Sequence, residues 1–330
     1  MNRRITALLT ALALALTTAT ACGDSDAATD DGPVDLTRVT LRIGDQKGAS
    51  IQSLLRAAGE LDGTPYRLSW SLFTSGPPIL EAVNAGSVDF GAVGNTPPIF
   101  AAAARARIVI IGATELTLDG QAVVVPRNSP IRTPADLRGK KIAVAKGSSA
   151  NYHLLALLKK TGIAYSDVQP QYLQPADALA ALTSGRVDAW ASWEPYTAQA
   201  EIQAGARIVA TGQGYTNGYG FQITSRSALK DRSKTAALKD FLGRYRRALL
   251  WANEHHHEWA RLWARDTGLP PAVAERAHRR RNAKIIRIDD AVIAEEQRLA
   301  DAFREVRLVP GRVEIEEFFD RRFNDTVPTS

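Results

Sequence analysis

Three segments of this chain carry a short apolar run into a small-residue turn and then a helix start. They are Arg42-Ile43-Gly44-Asp45-Gln46-Lys47-Gly48, Gly91-Ala92-Val93-Gly94-Asn95-Thr96-Pro97-Pro98 and Ile142-Ala143-Val144-Ala145-Lys146-Gly147-Ser148-Ser149. Such a junction leaves backbone N–H groups without helical partners, aimed at one point that favours negative charge. Glycine and serine admit close backbone approach, and proline suits a first helical turn, where a missing N–H costs little. Three such turns in one chain predict a cleft that gathers a small oxyanion. Other chemistries find less support. A Gly-x-x-x-x-Gly-Lys-Ser/Thr element is missing, so the chain is not expected to hydrolyse ATP. His255-His256-His257 point in different directions on a helix, and only spacing of three or four puts ligands on one face; an exposed face is expected and no metal site. His153, just past Ser149, reads as a helix-surface residue. No nucleophile–base pair or cofactor loop stands out, and no cofactor is expected.

The 330 residues include 41 basic and 35 acidic side chains, a net charge of +6, and 45% are apolar. The basic excess gathers partly at Arg244 to Arg247 and at His278-Arg279-Arg280-Arg281. Without a contiguous basic face or a recognition motif these read as solvated helix faces, and nucleic-acid binding is not expected. Arg3 and Arg4 precede an apolar run from Ile5 to Leu16 that is too short to span a bilayer, so the chain reads as exported. Cys22, the single cysteine, follows Ala19-Thr20-Ala21. The placement resembles a lipobox, in which the cysteine is lipidated and becomes the mature N-terminus, although Ala19 stands where that pattern prefers Leu. An ordinary signal peptide cleaved nearby is the alternative. Positions 1–22 are thus read as a lipoprotein signal peptide and 23–37 as a flexible acidic tether.

The elements that must position the turns alternate between strand and helix. Strands are expected at Val39 to Ile43, Tyr66 to Phe73, Val88 to Val93, Ile108 to Ile111 and Ala122 to Val125, with helices at Ser50 to Ala58, Pro77 to Ala85 and Pro97 to Ala104. A second round has strands at Lys141 to Ala145, Val187 to Ala191 and Arg207 to Ala210, with helices at Ala150 to Lys160, Pro175 to Ser184 and Pro195 to Ala204. This alternation predicts an α/β architecture with mostly parallel sheets. Pro126 to Pro130 reads as a crossing between lobes and Gly212 to Gly220 as the return. The expected division is 38–125 for the first lobe, 126–215 for the second, and 216–330 for a return to the first lobe plus C-terminal helices. Those helices are a long one from Ala237 to Arg265 and two more near Pro270 to Arg280 and Asp290 to Val306. An internal echo supports two lobes on one plan: Leu80 to Phe90 and Ala178 to Trp190 both read as a helix, a glycine cap, a turn and a strand that carries Val-Asp.

The ordered words of the chain resemble a known family. They are Arg42-Ile43-Gly44 with Gln46-Lys47-Gly48, Gly76-Pro77, Gly86-Ser87-Val88-Asp89-Phe90-Gly91, Thr96-Pro97-Pro98-Ile99-Phe100, Lys146-Gly147-Ser148-Ser149, Pro175-Ala176-Asp177-Ala178 and Trp193-Glu194-Pro195-Tyr196. From about Val39 to about Ile315 the chain is similar to the aliphatic-sulfonate-binding proteins of ABC importers, a branch with taurine- and nitrate-binding relatives. The resemblance implies a bilobal, periplasmic-binding-protein-like fold of type II, with a hinge and a ligand cleft. It also implies a partner permease, a separate ATPase, and a monomer tethered at the outer face of the cytoplasmic membrane or in the periplasm. Two positions depart from many relatives: Asp45, where an aromatic residue is common, and Asn95, where Asp is. Asp45 is expected to point away from the anion or to serve a positive group on it.

A sulfonate is a weakly basic monoanion with three equivalent oxygens, so neutral turn donors can hold it without a full ion pair. Gly76, Pro77, Asn95 and Thr96 are expected to face Ser148 and Ser149 across the cleft, with Gln46 and Lys47 beside them. Helix capping accounts equally well for each hydroxyl. Lys47 and Lys146 are candidates for charge or for solvated surface. Trp193 walls the ligand or packs in the lobe core, Glu194 meets an amine or tunes the cleft, and Tyr219 shapes the cleft at the return crossing. The expected cargo is an alkanesulfonate, with taurine, nitrate and sulfate esters as neighbours. A pyrimidine-synthase-like enzyme of similar fold is the rival class, and the cysteine-rich motif it would need is missing.

Overall fold

The computed structural model describes residues 34–327; Cys22 and most of the tether lie outside them. Among the described residues, eleven strands form two sheets. In chain order they are β1 (Thr40–Gln46), β2 (Arg67–Phe73), β3 (Phe90–Gly94), β4 (Ile108–Leu116), β5 (Ala122–Val125), β6 (Lys141–Val144), β7 (Gln169–Tyr172), β8 (Ala189–Ser192), β9 (Arg207–Thr211), β10 (Tyr219–Ser225) and β11 (Ala283–Ile286). Ten α-helices accompany them: α1 (Ile51–Ala57), α2 (Gly76–Asn84), α3 (Pro97–Ala103), α4 (Ser149–Lys160), α5 (Pro175–Thr183), α6 (Tyr196–Gln203), α7 (Arg232–Glu254), α8 (His256–Thr267), α9 (Pro271–Arg279) and α10 (Asp290–Glu305).

The first sheet runs β11-β4-β10-β3-β1-β2 and the second β7-β6-β8-β5-β9. Both are mixed rather than mostly parallel. Each has three parallel strands (β2-β1-β3 and β7-β6-β8) followed by antiparallel ones. The reason lies in the crossings. The strand that leaves the first lobe, β5, enters the second sheet antiparallel to β8, and the strand that returns, β10, enters the first antiparallel to β3. Because β5 hydrogen-bonds in the second sheet, the chain crosses between Leu116 and Ala122, ahead of the expected Pro126 to Pro130. The return lies between Thr211 and Tyr219, within the expected glycine-rich stretch. The two crossings touch: the Leu116 N–H donates to the Gly218 carbonyl at 2.9 Å. Gly218 has φ +70, and a Cβ there would stand 2.3 Å from the Leu116 carbonyl oxygen, so only glycine fits.

The Val-Asp echo explains how each lobe holds its central strands. The Asp89 carboxylate accepts from the Arg42 N–H at 3.0 Å and the Asp188 carboxylate from the Lys141 N–H at 2.8 Å. The same aspartate thus fastens the start of β1 in one lobe and of β6 in the other. Burial follows strand alternation. Val109 and Ile111 of β4 pack with Phe241 of α7, while Ile108 and Ile110 face the opposite cluster with Ile79 of α2 and Phe303 of α10.

Three strands, β7, β10 and β11, lie where the sequence reading placed none. The single helix expected from Ala237 to Arg265 begins earlier, at Arg232, and breaks at His255, where φ −114 and ψ 47 leave the helical region. His255 stacks on Trp251 at 4.6 Å and shares a hydrogen bond with its carbonyl at 2.9 Å. His153, expected on a helix surface, is fully buried, and burial lowers its pKa to about 4, so it packs as a neutral ring.

Candidate functional site

The strand ends of both sheets meet around a cavity of about 120 Å³. From the first lobe come Gln46 at the end of β1 and Gly48 beyond it, Gly76 at the start of α2, and Gly94 at the end of β3. The second lobe contributes Ser148, Ser149, Trp193 and Glu194. Tyr219 and Gln222 of β10, Tyr245 of α7, and Arg280 with Arg281 complete the wall. The lobes are closely apposed here. A Cβ on Gly94 would lie 2.9 Å from both the Cβ and Oγ of Ser149, and one on Gly48 would lie 3.0 Å from the Glu194 carbonyl oxygen.

The expected residues divide into two groups. Gln46, Gly76, Ser148, Ser149, Trp193, Glu194 and Tyr219 line the cavity; Lys47, Pro77, Asn95 and Thr96 lie outside its lining. Local bonding shows why. The Thr96 hydroxyl donates to the Asn95 side-chain oxygen at 3.0 Å, and the Asn95 amide donates to Asn217 at 2.9 Å and Thr216 at 3.3 Å. These two side chains therefore tie the β3–α3 turn to the return crossing. Lys47 accepts from the Trp263 indole N–H at 3.1 Å through its carbonyl. Lys146 is exposed, its ammonium 5.4 Å from the Tyr172 ring centre. The Ser148 hydroxyl caps α4, accepting from the Asn151 N–H at 3.3 Å while donating to the Ala145 carbonyl at 2.7 Å. Ser149, at the first helical position of α4, keeps both its N–H and its hydroxyl free of hydrogen bonds among the described residues. It is the turn donor that remains available to an anion.

Asp45 answers its own question. One carboxylate oxygen accepts from the N–H groups of Gln46 at 2.7 Å and Ile51 at 2.8 Å, and the other accepts from Gln52 at 3.0 Å. The residue before α1, Ser50, is left-handed and makes no side-chain cap. Asp45 therefore supplies the cap from five residues upstream, and this helix N-terminus is filled by the chain's own carboxylate.

Charge reaches the cleft from residues that the sequence reading assigned to a solvated helix face. Arg280 is 3.0 Å from Glu194 and 2.5 Å from Glu201. Glu194 is 4% exposed. Burial raises its pKa to about 7 against the opposing pull of Arg280, and its second oxygen accepts from the Ala198 N–H at 3.1 Å. Arg281 is half-buried, and no hydrogen bond or ion pair joins its guanidinium to another described residue. Burial lowers its pKa while Tyr245, Glu194 and Asp45 act to raise it. With Asp45 engaged on α1 and Arg280 shared by two glutamates, Arg281 is the cation in the lining that lacks a partner. The packing of α8 on α9 explains its placement. His256 and His278 meet at 2.9 Å, and His278 contacts the Ala252 carbonyl at 2.9 Å, which sets the end of α9 against α7; Arg279 stays exposed while Arg280 and Arg281 reach the cavity. The run His278 to Arg281 was visible as a charge cluster; its direction was not.

Comparison with known proteins places this geometry. Residues 75–258 match the family model described as NMT1/THI5 like. An aliphatic sulfonates-binding protein of Escherichia coli (strain K12) is 38% identical over 281 residues, covering 84% of this chain and 87% of its own length. Among solved structures, the alkanesulfonate-binding protein SsuA of Xanthomonas axonopodis pv. citri, bound to MOPS, superposes with a TM-score of 0.79 at 37% identity, covering 86% of this chain and 98% of that one. The desulfurization enzyme DSZB, at 20% identity and a TM-score of 0.63 over 88% of this chain and 99% of its own, shares the fold alone. The chain is thus a member of the NMT1/THI5-like family and, within it, of the aliphatic-sulfonate-binding proteins.

Proposed function

We propose that this protein is an extracytoplasmic solute-binding lipoprotein that captures aliphatic sulfonates between its lobes and delivers them to an ABC permease for sulfur uptake. The observation that carries the reading is the unpaired Arg281 guanidinium in the lining of a cavity that also presents the free N–H and hydroxyl of Ser149. A strongly acidic monoanion suits this set. It needs no proton to bind, and its three oxygens take one charge-assisted bond and several neutral donors at once. Trp193 and Tyr219 offer apolar surface to an alkyl chain. The signal segment, Cys22 and the acidic tether fit a body held at a membrane surface beside its permease.

The test is a thermal-shift panel followed by titration calorimetry, in phosphate or Tris because several common buffers are themselves sulfonates. The panel holds C2 to C8 alkanesulfonates, taurine, a sulfate ester, sulfate and nitrate. A ligand at 100 times its dissociation constant stabilises by about 2.7 kcal/mol. Stabilisation by alkanesulfonates but not by sulfate supports the reading; a response to nitrate or taurine alone moves the cargo to those relatives. Labelling with a radioactive fatty acid in cells, compared with Cys22→Ser, reads the anchor directly.

A further inference from the structure

Behind the cavity wall stands a second cation. Arg246 of α7 is 1% exposed. One of its terminal nitrogens donates to the Phe323 carbonyl at 3.4 Å and to the Thr326 hydroxyl, while its Nε and other terminal nitrogen are buried without hydrogen-bond partners. No carboxylate among the described residues lies within ion-pair distance of it, although Asp325 and Arg287 are near enough to act on its charge. Burial lowers its pKa to about 10, which leaves it protonated at neutral pH.

Gln222 of β10 separates this cation from the cavity. The residue is 1% exposed and lines the cavity, yet its Oε1 is buried with no hydrogen-bond partner. Gly112 shows where that oxygen points: a Cβ built there would lie 2.5 Å from Gln222 Oε1 and 3.2 Å from the unpartnered Arg246 nitrogen. The two orphaned groups, one acceptor and one cation, thus crowd the same small space. The Gln222 amide nitrogen makes no hydrogen bond with a described residue, leaving its two N–H groups for the cavity.

We infer that Arg246 is a positioning residue of the anion site, acting through Gln222: it draws the amide oxygen toward itself and so presents the amide N–H groups to the ligand. The inference rests on the anion-binding reading above. A carbonyl oxygen turned to a buried cation fixes the amide against the flipped orientation, which would face an anion with an acceptor and repel it. Arg246 also adds positive charge behind the wall, where low dielectric extends its reach.

The test separates positioning from a structural role. Gln222→Glu places a carboxylate against Arg246 and an acceptor against the ligand, so stability and affinity move in opposite directions. The midpoint of thermal unfolding without ligand rises by about 2 °C or more. Butanesulfonate binds at least about 30-fold more weakly, the loss of a charge-assisted hydrogen bond. Arg246→Lys keeps affinity within about threefold, whereas Arg246→Met weakens it at least about tenfold. A lowered midpoint in Gln222→Glu, or unchanged affinity, overturns the inference, and neither result depends on whether Arg246→Met folds. A wild-type protein that binds no anion of the panel overturns the underlying reading and this inference with it. Binding by wild type with equal affinity in Gln222→Glu overturns only this one.

Discussion

At the scale of single residues, the cleft shows how one charge comes to dominate a site that contains several. Asp45 and Glu194 bring carboxylates near the anion position, and Arg280 and Arg281 bring guanidinium groups. Hydrogen bonds and ion pairing remove most of this from play, because three N–H groups hold Asp45, and Arg280 donates to Glu201 and lies at ion-pair distance from Glu194. Arg281 remains. Arg281→Gln is therefore expected to weaken sulfonate binding by about 2–5 kcal/mol, read by calorimetry, with little change in the unfolding midpoint of the free protein. Glu194 sets the pH response. Its pKa rises from 4.5 to about 7 on folding, so its neutral form favours the folded state. That contribution is complete below pH 4.5 and is lost as pH rises through 7. Ionisation over the same range adds a negative charge beside the ligand and strengthens the claim of Glu194 on Arg280. Titrations between pH 6 and 8 should show anion affinity falling as pH rises, and Glu194→Gln should flatten the profile.

At the scale of elements, the same structural idea serves two ends. A helix N-terminus with free N–H groups favours a negative charge, and the chain fills one such end itself. Asp45 closes α1, while the first turn of α4 keeps Ser149 open to the cavity. Asp45→Ala is expected to destabilise the protein by about 1 kcal/mol, measured by urea denaturation, while leaving the α4 donor in place. Here the sequence reading expected a turn open to a ligand anion, and the structure fills it with the chain's own carboxylate. The word Gly44-Asp45-Gln46-Lys47-Gly48 contains its own anion, and only the path of the backbone brings that carboxylate onto Ile51 and Gln52. Asn95 and Thr96 were misplaced for a related reason. Their polar atoms are satisfied by each other and by Thr216 and Asn217, about 120 positions away, a distance at which local spacing carries no information.

At the scale of the molecule, two lobes with the same strand plan face each other across a pair of touching crossings. Gly94 of the first lobe meets the Ser149 side chain of the second with no room for a side chain of its own. Gly94→Ala places a methyl group 2.9 Å from two Ser149 atoms and holds the lobes apart. Affinity should fall and small-angle scattering with ligand should report a larger radius; one hydrophobic cluster runs from Ile79 and Val93 of the first lobe to Val144 and Leu154 of the second, so the unfolding midpoint is expected to drop as well. An unchanged affinity would show that the approach of these two residues is not needed to seal the cavity.

Sequence alone determined the α/β class, the two-lobe plan and the family. These rest on local signals: hydrophobic runs of strand length, proline and glycine at helix ends, and an aspartate repeated at the same point in each lobe. It also named a minority of the residues that line the cavity, among them Gly76, Ser148, Ser149, Trp193 and Glu194, which sit in turns whose composition marks them. Tertiary structure decided the charge. Arg280 and Arg281 stand in a basic run after α9, Arg246 in a basic run of α7 and Gln222 on β10, and whether such a side chain faces solvent or a cleft depends on what packs behind it. It also decided the sheets' mixed direction, because β5 and β10 pair in the lobe opposite to the strand that precedes each. Local sequence sets conformation through short-range sterics and hydrogen bonding; partner strands and charge neighbours come from residues far along the chain, and only the folded backbone brings those together.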